Sequence, residues 1–293
     1  MNNFIKILRT PHYIKNILIL LPLFFSGEFI DSYKLLNALK AFVAFSFCAS
    51  AIYIFNDYHD VKSDRKHPKK KYRPLASGLI SKSDALLLMN FLLAVGLILM
   101  FSISLVSSIF LLSYIILNLL YSFKLKQIAL LDITIIAIGF VLRLFVGSYA
   151  YNVKLSPSIV LITFLLAIFL ALAKRRDDVF IQNKTGKKIR NSIDGYNLEL
   201  INGAMLIMST IVIITYLQYT TSYETINKFG NNNLYLTTLF VIFGIMRYLQ
   251  ITFVEKNSGS PTEIFLNDKI IQINFFLWFL SFLSIIYLSP SHI

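Results

Sequence analysis

The sequence predicts an all-α, polytopic membrane bundle of about nine transmembrane helices, with residues 1–293 forming a single integral-membrane domain. Three observations predict it. Hydrophobic side chains make up 56% of the 293 residues and mean hydropathy is +0.67, more apolar than soluble domains are. The apolar residues come in long blocks, each of roughly 17–25 residues, enough to cross a bilayer as a helix. No strict period-two alternation appears, so the spans are helices, since only helices and closed barrels satisfy their backbone in lipid.

The blocks run at about 13–30, 36–57, 83–105, 107–122, 131–151, 157–175, 200–220, 233–253 and 269–288. The first is not a cleaved leader, because no small-residue processing site follows it and the chain goes on spanning. The second holds Cys48, the one cysteine, which excludes an intramolecular disulfide and reads as a small apolar residue inside a helix. The blocks at 107–122 and 131–151 carry small and polar residues, which suits burial within a bundle. Arg143 and Arg247 fall inside the fifth and eighth blocks. Charge there is expensive and marks either the bundle interior or a substrate path.

A formal charge of +13 raises nucleic acid as a partner, but the placement of the charge excludes it. Of the 28 Lys and Arg, 22 lie in the N-terminal segment and the even-numbered connections, and only Lys34, Lys40, Lys154 and Lys228 lie on the opposite side. The positive-inside rule places the N-terminus and the even connections in the cytoplasm of a bacterial-type inner membrane, and the C-terminus outside.

The connection after the second block carries the densest chemistry. Asn56, Asp60 and Asp64 are spaced by four and would stack on one face if the helix continues through them, with Asp57 beside them. Like charges at that spacing repel, and a divalent cation reverses the sign. Hard oxygen donors suit Mg²⁺, held by a few carboxylates together with substrate phosphates. The basic run that follows, including Lys69, Lys70, Lys71 and Arg73, supplies cations for phosphate oxygens, Arg as a fork and Lys as point charges. Acid for a metal and base for phosphate in one stretch fit departure of a diphosphate from a cytoplasmic site. For Lys69 to Lys71 a solvated, topology-setting role stands as an equal alternative. His59 and His67 are eight apart with no cysteine partner, which argues against zinc.

Two further clusters stand at block ends. Lys126 and Asp132 follow the fourth block: either Lys126 binds phosphate with Asp132 orienting it, or they are an interfacial anchor and a helix-start acid. Lys174-Arg175-Arg176-Asp177-Asp178 ends the sixth block, again as a phosphate site or an anchor.

Asn56-Asp57-x-x-Asp60-x-x-x-Asp64 resembles the first aspartate-rich motif of the UbiA superfamily of intramembrane prenyltransferases. Other segments resemble its decaprenyl-phosphate phosphoribosyltransferase branch: Leu8-Arg9 with Lys15-Asn16, Leu21-Pro22-Leu23, Arg73-Pro74 with Ala76-Ser77-Gly78, Tyr121-Ser122-x-x-Leu125-Lys126, Leu131-Asp132, Leu142-Arg143, Lys174-Arg175, and Arg247-Tyr248. The superfamily has a second motif with two acids four apart after the sixth helix. Here the basic cluster stands instead, with Asp178 where the branch has Glu. The resemblance implies a UbiA-like bundle and a Mg²⁺-dependent transferase. Its donor would be phosphoribosyl diphosphate, its acceptor a polyprenyl phosphate whose tail lies in membrane lipid, and its product a precursor for cell-envelope glycan. It implies metal held by Asn56, Asp60 and Asp64, catalysis by Asp57, Asp60 and Asp64, and substrate contacts from Lys15, Asn16, Lys70, Arg73, Tyr121, Lys126, Asp132, Arg143, Lys174, Arg175, Asp178 and Arg247. Homo-oligomerisation stays open. Prenyl transfer to an aromatic or other small acceptor is the alternative within the superfamily, and a transporter or lipid-binding protein the alternative outside it.

Overall fold

The computed structural model describes residues 3–65, 70–186, 191–256 and 261–287. Among these, eight helices are long and apolar enough to cross a membrane. They are α1 (Ser32–His59), α2 (Lys82–Ile103), α3 (Leu105–Phe123), α4 (Leu131–Ala150), α5 (Pro157–Thr185), α6 (Leu198–Thr221), α7 (Thr238–Phe253, continuing the 3-10 turn Asn233–Thr237 into one span) and α8 (Lys269–Tyr287). The protein is an all-α integral-membrane bundle. Local chemistry sets the helix starts. The side chains of Asp31, Ser81, Ser104 and Asn197 each accept from a backbone N–H of the first turn of α1, α2, α3 and α6, satisfying donors a helix leaves open. α5 begins on Pro157 and ends at Gly186, whose φ of 67° suits a residue without Cβ.

The chain forms two compact units, residues 1–124 with 139–155, and residues 125–138 with 156–293. The first is built on α1. Ala38, Ala41, Ala44, Cys48 and Ala49 are buried on it, packed with Met100, Leu111 and Tyr114. Small residues let helices approach closely in lipid. A Cβ on Gly96 of α2 would lie 2.6 Å from Cys48 Sγ and 2.8 Å from the Ala44 carbonyl oxygen. The core of the second unit joins Phe169 and Leu172 of α5, Ile201 and Met205 of α6, and Tyr248 and Ile251 of α7.

The first predicted span differs from expectation. Residues Thr10–Leu20 form a 3-10 helix, followed by a six-residue α-helix, Leu21–Ser26. A 3-10 helix has three residues per turn, so residues three apart eclipse. Tyr13, Asn16 and Ile19 therefore form a row. Tyr13 Oη meets Ser50 Oγ at 2.9 Å, Asn16 Nδ2 donates to Ser46 Oγ at 2.9 Å, and Ile19 is buried. Ser46 and Ser50 are one turn apart on α1, so α1 offers a polar stripe that the tighter helix matches.

α1 stops at His59. Asp60 takes φ −91°, ψ 4°, and a separate turn, Val61–Asp64, follows. The ladder persists across the break, with Asp60 N–H on the Asn56 carbonyl at 2.9 Å and Asp64 N–H on the Asp60 carbonyl at 2.8 Å. α5 runs ten residues beyond its predicted end, so the Lys174–Asp178 cluster lies within a helix.

Candidate active site

In the first unit the chain brings acids and bases together where α1 ends. Asp57 and Asp64 are both 2% exposed. Arg73 Nη1 donates to Asp64 Oδ2 at 2.7 Å and to Asp57 Oδ1 at 3.0 Å. Lys70 Nζ stands 3.9 Å from Asp64 Oδ1, and Arg9 Nη2 donates to Asp57. Burying two carboxylates is costly unless charges and donors meet them, and three cations do so here. Arg73 reaches back because residues 70–80 fold into tight turns: Arg65 Nε donates to the Ala76 carbonyl oxygen at 3.1 Å, and Gly78 takes φ 80°.

Arg73 gathers Asp57 and Asp64, seven residues apart, which the i→i+4 bonds running through Asp60 keep on one side of the chain. Asn56 Oδ1 accepts from Ser122 Oγ of α3. Asp60 Oδ1 lies 3.3 Å from His59 Nδ1, with the Asp60 side chain 29% exposed. Among the described residues, no group of three or more His, Cys, Asp or Glu is arranged to hold a metal ion. Lys69 and His67 lie outside the described residues.

Arg143 is also in the first unit, 4% exposed. Nε donates to Asn16 Oδ1 at 2.9 Å, Nη1 to the Gly139 carbonyl oxygen at 2.6 Å, and Nη2 to Tyr114 Oη at 3.2 Å. The rings of Phe45, Tyr114 and Phe140 lie 4.9, 4.8 and 5.3 Å from its Cζ. Every group named is neutral, and the cation is met by ring faces and dipoles. Lys15 and Tyr121 are half-buried.

The second unit holds a separate charged cluster. Asp132 is fully buried. It accepts from Arg175 Nε at 2.6 Å, Ser192 Oγ at 3.1 Å and Tyr196 Oη at 2.6 Å. Arg175, 1% exposed, turns its other edge to Asp178 Oδ2 at 2.8 Å. Burial, with the hydrogen bond to Asp132, pushes the Tyr196 phenol well above its ordinary pKa, so it remains a donor. Lys174 is exposed and Lys126 half-buried. Beside the cluster is an open cavity of about 300 Å³ lined by Asn183, Tyr196, Asn197 and Glu199 among others. Arg247 pairs with Glu255 and Asp268, both at 2.7 Å. Asp268 in turn caps α8 through the Ile271 N–H at 2.8 Å.

Sequence reasoning missed Arg9, Ser192 and Tyr196 as site-forming groups. Each meets its partner from 48 to 64 residues away, beyond any local spacing.

Comparison with known proteins shows what the whole chain is similar to. The sequence pattern of the UbiA prenyltransferase family matches residues 19–280. The decaprenyl-phosphate phosphoribosyltransferase of Mycolicibacterium smegmatis is 32% identical over 284 residues, 94% of this chain and 89% of that one. That of Corynebacterium glutamicum is 29% identical over 290 residues, 98% and 87% of the two chains. Among solved structures, a UbiA homolog from Archaeoglobus fulgidus bound to DMAPP and Mg²⁺ superposes with a TM-score of 0.73, at 19% identity, over 98% of this chain and 100% of that one. That likeness is one of fold.

Proposed function

Since the chain belongs to the UbiA prenyltransferase family, as an integral-membrane transferase on the branch of the decaprenyl-phosphate phosphoribosyltransferases, we propose that it moves 5-phosphoribose from phosphoribosyl diphosphate to a polyprenyl phosphate. The observation that carries this reading is the likeness to named phosphoribosyltransferases over nearly the whole chain.

In this reading the acid–base cluster of the first unit takes the donor's diphosphate. Asn56, Asp60 and Asp64, helped by Asp57, present oxygen donors alone, the set a hard cation prefers. These side chains do not close a cage. That fits Mg²⁺, which binds through one or two carboxylates and completes its shell with substrate phosphates and water. Bound there, the ion would neutralise charge on the departing diphosphate. Arg73, Lys70 and Arg9 have N–H groups to turn from the carboxylates toward phosphate oxygens. The acceptor phosphate is already a nucleophile, so no strong base is required, and the protein's work is positioning and charge stabilisation. The charge asymmetry of the connections supports a cytoplasmic N-terminus and active site.

The test uses the purified full chain with labelled phosphoribosyl diphosphate, polyprenyl phosphate and Mg²⁺. Label is expected in the lipid phase. Absence of that transfer, with a prenyl group instead moving from a prenyl diphosphate to an aromatic acceptor, overturns the reading.

A further inference from the structure

The second unit's buried cluster has a direction. Asp132 is fully buried and Arg175 is 1% exposed, so neither meets a ligand directly in this conformation. The Asp178 side chain, 12% exposed, is the less buried of the two carboxylates that Arg175 joins. Behind Asp132 stands a bracket formed by residues 192–196. Ser192 Oγ donates to Asp132 Oδ2 at 3.1 Å. Tyr196 Oη donates to Asp132 Oδ1 at 2.6 Å and accepts from the Leu130 N–H at 2.8 Å. Leu130 has φ 68°, a left-handed conformation costly for a branched side chain, and the Tyr196 oxygen satisfies the amide that this turn presents. The bracket also needs close approach: a Cβ on Gly195 would lie 2.4 Å from Ala129 Cβ.

We propose that Tyr196 and Ser192 are positioning residues that act through Asp132 and Arg175 to fix the carboxylate of Asp178. Tyr196 and Ser192 hold one oxygen each of Asp132, which sets the plane of that carboxylate. The Asp132 carboxylate receives Arg175 Nε, and the guanidinium is rigid and planar. Its Nη1 edge therefore fixes where Asp178 points. Without the Tyr196 hydroxyl, Asp132 is free to rotate on Ser192 and Arg175, and the error is passed to Asp178. The ion pairs themselves survive, so the loss is one of aim.

A double-mutant cycle tests this with Y196F and D178N in the full chain, using the transfer assay above and the unfolding temperature in detergent. Y196F is expected to lower kcat/KM about tenfold, the scale of a hydrogen bond to a charged group, with the change seen in KM. In the D178N background the same substitution should cost less than about twofold. S192A should repeat the pattern more weakly. In unfolding temperature the two substitutions should be non-additive, as groups in one network are. A merely structural Tyr196 would instead lower kcat alone and by the same factor in both backgrounds. Equal losses in both backgrounds, or additive unfolding temperatures, overturn the proposal. The turnover arm rests on the phosphoribosyl-transfer reading and the unfolding arm does not. If the wild type fails to transfer phosphoribose while the unfolding temperatures stay non-additive, that reading fails and the relay stands.

Discussion

Arg73 Nη1 lies 2.7 Å from Asp64 Oδ2, and the same nitrogen lies 3.0 Å from Asp57 Oδ1. One donor atom thus bridges two buried carboxylates, the place where a cation is most needed and where a phosphate could share it. R73K keeps the charge and loses the fork. It should raise KM for phosphoribosyl diphosphate about tenfold, and R73A about a hundredfold, by the usual strength of charge-assisted bonds. Initial rates at saturating acceptor and Mg²⁺ measure both.

Asp57 and Asp60 should separate into different roles. Asp57 is sealed and engages Arg9 and Arg73, whereas Asp60 is partly exposed beside His59. D57N strips a buried partner from two cations whose own side chains are 21% and 28% exposed. It should cost about 2 kcal/mol, less than a fully buried pair would. D60N should leave unfolding within about 1 kcal/mol of wild type while raising the Mg²⁺ concentration for half-maximal turnover. Chelation should abolish turnover and added Mg²⁺ restore it. A Mg²⁺ titration of D60N that overlays the wild type counts against a metal role.

What could be read from the sequence follows the range of the physics. Long apolar runs set eight of the nine predicted spans, because a bilayer demands length and hydropathy that are visible locally. The first predicted span is a 3-10 helix followed by a short α-helix, a shape that depends on another element: Tyr13 and Asn16 form a row only against Ser50 and Ser46 of α1. Asp57, Asp60 and Asp64 stood out by spacing, yet the side chain that joins Asp57 to Asp64 is Arg73, reaching back from a turn that spacing does not place. Arg9 stood out only within the Leu8-Arg9 resemblance, and Tyr196 carried no local signal. Arg143 and Arg247 stood out as intramembrane charge, but not their opposite solutions, neutral groups for one and two carboxylates for the other.

Arg143 and Asn16 should behave as one unit. The guanidinium anchors the 3-10 segment through Asn16, and Asn16 passes the tie to Ser46. R143Q loses three ring contacts and three hydrogen bonds. It should destabilise by about 2–3 kcal/mol. N16A added to R143Q should cost much less than N16A alone, since both break the same tie. Unfolding of the four variants in one detergent measures the coupling.

Stability should depend on pH through Asp268. Its hydrogen bond from Arg247 holds the carboxyl below its ordinary pKa. A carboxylate with a depressed folded pKa contributes stability above its unfolded pKa and loses it as pH falls through the folded value. D268N should therefore unfold at lower temperature than wild type at pH 7, by about 2–4 °C. The gap should narrow as pH falls below about 4, the unfolded value, and close once the wild-type carboxyl is protonated in the folded state too. Thermal scans of both proteins from pH 3 to about 7 decide it, and a gap that does not narrow toward the acid end refutes the assignment.

Two glycine substitutions should move in opposite directions. A Cβ on Gly147 of α4 would fall 2.1 Å from the Ile19 carbonyl oxygen and 2.9 Å from Tyr151 Oη. Tyr151 Oη already donates to that carbonyl at 2.7 Å and accepts from the Leu23 N–H at 3.1 Å. Neither backbone nor phenol can give way without breaking those bonds, so G147A should destabilise by about 2–3 kcal/mol. Gly203 sits inside α6 with nothing within 4 Å of its Cβ position. G203A should stabilise by about 0.5–1 kcal/mol, the helix-interior difference between the residues. If both shift unfolding the same way, the close packing of the N-terminal segment on α4 is wrong, since helix propensity acts identically at the two sites and only the Ile19 contact separates them.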